Sequence, residues 1–260
     1  MATFYSSQGR TTKRKFAAAL CFLLTSIKLV SADPTTNAVF AARAEKTFHQ
    51  AQIEFQAHPD NSTNAWLLAR ASYELADFAK TDSIRADLAN QGIAATRQLA
   101  AREPKNAAAH YYLAMNLGQL ARTELLGALS LVKEMEREFK IAGSLDEKLD
   151  FAGPERNLGL LYLQAPHIGS IGDNRKARTF LQRAAKLAPD FPENRLNLIE
   201  TFLQWRETDH ARTEMATLNT LWPKAQANFA GEKWEVDWDD WATRRAIAQK
   251  KLDALTKTGK

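Results

Sequence analysis

The chain has 260 residues, 25% of them charged, with a formal net charge of +5, one cysteine and five histidines. Arg10, Lys13, Arg14, Lys15 and Lys28 fall in the first 32 residues, which hold no acid, so the rest of the chain is formally neutral and carries no nucleic-acid footprint. Cys21 lies in the same segment, so without that segment the chain has no disulfide, no thiolate nucleophile and no cysteine-based metal site.

In chain order, Lys13-Arg14-Lys15 precedes an apolar run from Phe16 to Leu24 and then Val30-Ser31-Ala32. A basic start, a short apolar core and a small-x-small site read as a signal peptide, with cleavage expected after Ala32. The apolar run is too short to span a bilayer comfortably, although an uncleaved anchor helix stays open as the alternative. Leu20 before Cys21 speaks against a bacterial lipobox. The expected location is therefore exported, periplasmic or secreted, with no membrane span after cleavage. Three segments follow: 1–32 signal, 33–223 helical repeats and 224–260 a C-terminal cap.

Past residue 33 the sequence is rich in Ala, Leu, Arg, Gln and Glu and shows no sustained strand alternation, which predicts an all-α fold. A first helix is expected over Phe40–Ala57. Pro59, Pro104, Pro189 and Pro223 each follow an amphipathic run and are read as helix stops. Asn61-Ser62-Thr63 fits the glycosylation pattern, but helix capping is the better reading. Asn64–Ala69 opens one inner helix, with a partner over Ile84–Arg102. Ala107–Ala121 opens the next, with a partner over Thr123–Ile141. Gly143 and Gly153-Pro154 break the pattern before a unit that begins near Glu155.

Pro189 and Pro223 are 34 residues apart, the period of a helix-turn-helix repeat. Leu158-Gly159-x-x-Tyr162, then Ala177, Ala184 and Pro189, occupy its expected positions. In the next unit Phe202, Ala211 and Pro223 do so. Between Tyr162 and Ala177 the turn is six residues longer than the repeat needs, within Ala165-Pro166-His167-Ile168-Gly169-Ser170-Ile171-Gly172-Asp173. Its glycines and following cations suggest a phosphate cradle. Against that, Asp173 is a good N-cap that would compete with a phosphate, and the P-loop spacing fails. A connector is expected. Trp222, Trp234, Trp238 and Trp241 then precede a charged helix over Asp239–Leu255, read as a cap on the last repeat.

From Gly153-Pro154-Glu155 through Leu158-Gly159, Tyr162, Gly172-Asp173 and Lys176-Ala177 to Lys186–Pro189, the chain resembles exported tetratricopeptide-repeat proteins. Among these are the T components associated with tripartite ATP-independent periplasmic (TRAP) transporters. The resemblance covers residues 105–223. It implies a helical solenoid in the periplasm that binds a protein partner or a small apolar ligand, and it supplies no catalytic residues. The histidines show no metal spacing and no H-E-x-x-H, so no metal or other cofactor is expected. Asp239-Asp240 and Glu136/Glu138 read as solvated helix faces, and His110 reads as a packing residue.

Function is then expected on the concave face of the stacked inner helices, with a protein or peptide as partner. Arg70, Tyr73, Tyr112, Asn116, Arg156 and Asn197 are the residues expected to line it, with alanine there changing stability little. The alternatives are inter-repeat core for the aromatics, Trp66 and Tyr162 above all, and plain surface for the polar residues. Gly159, Tyr162, Ala177, Pro189, Ala211 and Pro223 are read as structural repeat positions.

Overall fold

A computed structural model describes residues 34–124 and 127–258, and the predicted signal segment lies outside them. The described residues form α1 (Pro34–Ala57), α2 (Ser62–Ala76), α3 (Asp82–Arg102), α4 (Ala107–Ala121) and α5 (Ala128–Leu145). They continue with α6 (Leu149–Gln164), α7 (Asn174–Leu187), α8 (Pro192–Gln204), α9 (Thr208–Asn228), a 3-10 turn (Glu232–Trp234) and α10 (Glu235–Thr258). The all-α expectation holds, and no strand occurs among the described residues.

Short polar connectors set these boundaries. The Asn61 side chain accepts from Thr63 N and Asn64 N, so it caps α2. Thr81 caps α3 through Ile84 N, and Asn106 caps α4 through Ala109 N. Pro192 opens α8 in the first turn, where its missing N–H costs nothing.

Helices pair as α2/α3, α4/α5, α6/α7 and α8/α9, and the first members of successive pairs also touch, α2 on α4 and α4 on α6. That is a solenoid of helix-turn-helix units with an inner row of α2, α4, α6 and α8. α10 packs on α8 as the inner helix of a further unit, so it covers the last pair. The C-terminal tryptophans are the cement of this end. Trp238 meets Trp222 and Trp241 edge-on at 5.1 and 5.0 Å, and Phe191 meets Trp241 at 5.2 Å.

Pro223 does not close a helix. It lies exposed inside α9, which runs on to Asn228. A proline here leaves a carbonyl one turn back without its helical partner. On a face open to water that carbonyl can be hydrated, so the helix continues. Pro189, by contrast, follows α7 directly. The interval of 34 residues therefore joins two unlike places.

α6 departs from regular helix at its start. Asp150, Phe151 and Ala152 have φ of 50°, 55° and 64°, a left-handed turn made of three non-glycine residues. Right-handed helix begins at Gly153-Pro154, close to the expected unit start.

Glu155 is buried beside the exposed Arg183, whose Nε stands 3.5 Å from Oε1, while Oε2 has no hydrogen-bond partner. Burial pushes its carboxyl above the ordinary glutamate range; Arg183 opposes the shift and Glu147 adds to it. The folded state therefore holds this proton more tightly than the unfolded chain. Stability falls as pH rises from the ordinary glutamate value through the raised one, and the full penalty is present above it. Glu155→Gln is expected to raise the melting temperature at neutral pH and to lose that advantage in acid. A variant that melts below wild type at neutral pH and like wild type in acid would show that the Arg183 pair outweighs burial.

Candidate functional site

A cleft of about 70 Å³, open to solvent, lies at the C-terminal ends of the inner helices α2, α4 and α6, with α5 behind it. Its floor is apolar: Met115, Met135, Phe139, Leu160 and Leu161. Its rim is polar, with Tyr73, Asp77, Gln119, Arg122, Asn157 and Gln164. Part of the rim is braced. Gln119 donates to Asp77 at 2.8 Å, and Arg122 reaches the same carboxylate at 3.2 Å. An extended segment crossing α2, α4 and α6 would find hydrogen-bonding groups along the edges and apolar room below.

Of the residues expected on the concave face, Tyr73 lies on this rim and is half-buried. Arg70 is exposed and pairs with Glu74 at 2.7 Å. Burial works against its charge, but Glu74, Tyr112 and Asp150 outweigh it and hold its pKa above the ordinary value. Tyr112 is buried and stacks on Trp66 with ring centroids 5.8 Å apart. Burial first, then Asp150, pushes its phenol pKa up.

Asn116, Arg156 and Asn197 are corrected from display to interior. Their exposures are 0%, 5% and 4%, which makes them core residues. Each makes hydrogen bonds in the interior, although Asn116 Oδ1 and Asn197 Nδ2 have no partner. Asn116 donates to the Ala69 and Tyr112 carbonyls, both at 2.8 Å, and so ties α2 to α4. Its amide fills the space over Gly92, where a Cβ would stand 2.4 Å from Oδ1. Asn197 accepts from Arg244 at 2.6 Å, which ties α8 to α10.

Arg156 is the centre of a buried network. It donates to Asp150 Oδ2 at 3.0 Å, to the Phe151 carbonyl at 3.2 Å and to Asn194 Oδ1 at 3.2 Å. Tyr111 donates to the same Asp150 oxygen at 2.6 Å, and Asn157 donates to the Tyr111 hydroxyl at 3.2 Å. The left-handed turn is thus clamped from three sides. Burial opposes the Arg156 charge, while Glu193, Tyr111 and Asp150 sustain it and raise its pKa overall.

Sequence reasoning missed Asp150, Glu193, Glu200 and Arg244. Arg244 bonds Glu200 at 2.7 Å and Asp240 at 3.1 Å. Asp240 is therefore buried and paired rather than solvated. Glu138 is corrected in the same way, lying buried 2.6 Å from His110 Nδ1 and 2.8 Å from Arg137. His110 packs in the interior as expected. Partners 28 and 44 residues apart leave no local signal in a sequence.

The structural repeat positions Gly159, Tyr162, Ala177 and Ala211 are all buried. Tyr162 belongs to the core, with its hydroxyl donating to Glu136 at 2.6 Å. The long turn holds no open helix terminus. Asp173 Oδ1 accepts from Arg175 N at 2.9 Å and Lys176 N at 3.1 Å, occupying the groups a phosphate would need. Gly169 turns the chain at φ 79°. Ile168 is 78% exposed, while Ile171 is partly buried against the core, so the connector is anchored at its second half.

No protein-family model and no curated protein matches the sequence. Among solved structures, a thermophilic TPR (tetratricopeptide) protein of Thermus thermophilus is similar, with a TM-score of 0.60 at 20% identity, over 80% of this chain and 91% of that one. Paired helices, a continuous inner row and this likeness converge on one architecture: the chain has a tetratricopeptide-like helical solenoid fold.

Proposed function

We propose that the protein is a non-enzymatic binding scaffold whose concave cleft takes an extended segment of a protein partner. The observation that carries this reading is the cleft itself, apolar in its floor and polar in its rim, built from three successive inner helices and the outer helix α5. An apolar side chain of the partner sits on Met115, Met135, Phe139 and Leu160, and its flanking backbone meets Asn157 and Gln164. The two methionines suit side chains of varied shape.

Export to a periplasm or to the exterior is part of the proposal and rests on Lys13–Ala32 alone. A second reading, a small apolar ligand in the same cleft, rests on the apolar floor. The transporter-associated role rests on the Gly153–Pro189 motifs and would use that same ligand.

A peptide array probed with the purified protein tests the first reading. Bound peptides should share an apolar anchor, and Leu160→Glu should lose them while melting near wild type, because Leu160 is only half-buried. Unchanged binding by Leu160→Glu would move the site elsewhere. Native mass spectrometry that returns a lipid-like adduct and no peptide would favour the second reading.

A further inference from the structure

The two ends of the solenoid meet. Arg43 in α1 pairs through Nε with Glu232 at 3.0 Å and through Nη1 with Glu235, residues about 190 positions further along the chain. Beside this pair, Thr36, Val39 and Phe40 of α1 face Gly231, Glu235, Trp238 and Asp239 across a shallow cleft. Phe40 is 6% exposed, a buried aromatic side chain in the first half of the first described helix.

The length of α1 explains how it reaches so far. Its 24 residues extend about 36 Å, whereas the 15 of α2 extend about 22 Å. The short connection makes the two helices antiparallel, and Asn64 at the start of α2 donates to the Glu54 carbonyl near the end of α1. Phe48 already shares a cluster with Ala71 and Ala76 in the last turns of α2. About the first nine residues of α1 therefore overhang the C-terminal end of α2. Tyr73 and Asp77, at that same end, line the concave cleft. The overhang lands on the start of α10.

We infer that the first half of α1 is a clasp that closes the solenoid into a ring and controls entry to the concave cleft. Its grip combines the buried ring of Phe40 with exposed charges: the side chains of Arg43, Glu232 and Glu235 are 37%, 73% and 53% accessible. Exposed pairs are weak and are screened by salt. The contacts of Phe48 and Phe55 with α2 lie beyond the clasp, so the first half can release, uncovering Phe40, while the second stays docked. The clasp stands or falls independently of what the cleft binds.

The test uses the full chain with Cys21→Ser, which removes its one cysteine. Spin labels on cysteines placed at Ala42 and Asn228 should report one short distance by double electron–electron resonance. Arg43→Glu should lengthen and broaden that distribution, and about 1 M salt should do the same to the wild-type sequence. Adding Glu232→Arg and Glu235→Arg to Arg43→Glu should restore the short distance. In a second set, a cysteine replaces Gln164 on the cleft rim, and its labelling by a bulky maleimide is timed. The rate should rise several-fold with Arg43→Glu and return in the charge-swapped variant. Distances that ignore both the substitution and salt would overturn the clasp. Distances that lengthen with no change in labelling rate would overturn its control of the cleft. Neither measurement involves a peptide, so failure here leaves the peptide reading standing, and failure of the peptide array leaves the clasp standing.

Discussion

Arg156→Ala is expected to lower the free energy of unfolding by about 3–5 kcal/mol, the range for removing one partner of a buried charge pair. The Arg156 side chain is 6% accessible and binds Asp150, so solvent cannot take over its role. Its loss leaves the Asp150 and Phe151 carbonyls and Asn194 Oδ1 without their shared donor. The turn of three left-handed non-glycine residues, a conformation that costs roughly 1–2 kcal/mol per residue, is then free to relax, which offsets part of that loss. The ring of Phe191, 5.2 Å from the guanidinium, loses a cation–π partner as well.

Arg156→Lys should recover little, because one ammonium cannot reproduce the planar fork that reaches a carboxylate, two carbonyls and an amide together. Urea unfolding of wild type, Arg156→Ala and Arg156→Lys checks this. A change within about 0.5 kcal/mol for Arg156→Ala would mark it as an ordinary surface residue and remove the network from the account of the fold.

The helices and their order were legible in the sequence because their signals are local. Asn61, Asn106 and Asp173 cap helices in the structure as their types suggest. Ala107–Ala121 forms α4 with the predicted limits, and Pro192 opens α8. Proline misled at Pro223, because a stop signal is obeyed only where the freed carbonyl cannot be hydrated. Burial was the harder quantity. Arg70 and Arg156 look alike in a sequence, each on an inner helix with an acid nearby, yet the first is exposed and the second is enclosed. What separates them is the left-handed turn at Asp150, together with Asn194 and Phe191 from the next repeat. Contacts between repeats have no fixed spacing, so composition and period do not reveal them. The same holds for the clasp, whose partners stand at opposite ends of the chain.

Gly159→Leu is expected to cost more than about 3 kcal/mol, beyond the usual range for an overpacked core site. Gly159 sits on α6 where α7 crosses it. A Cβ there would stand 2.6 Å from Leu181 Cγ and 3.0 Å from the Leu181 backbone nitrogen. The side chain of Leu181 could rotate away, but the backbone nitrogen moves only with the helix. Gly159→Ala therefore has two opposed effects: a helix-propensity gain of roughly 0.5–1 kcal/mol and a clash of similar or larger size. A small net loss is expected for alanine. Leucine adds three further carbons to a place already too tight for one, so the α6/α7 pair must part. Its neighbours Leu160 and Leu161 form the cleft floor, so the concave site should fail with the packing. Thermal melting and peptide binding on the alanine and leucine variants read both consequences. Should Gly159→Leu melt like Gly159→Ala, α6 and α7 can separate at little cost and Gly159 is not a point of close helix contact. Should Gly159→Leu unfold while Gly159→Ala keeps its binding, the approach of the two helices at this glycine is what holds the cleft floor in place.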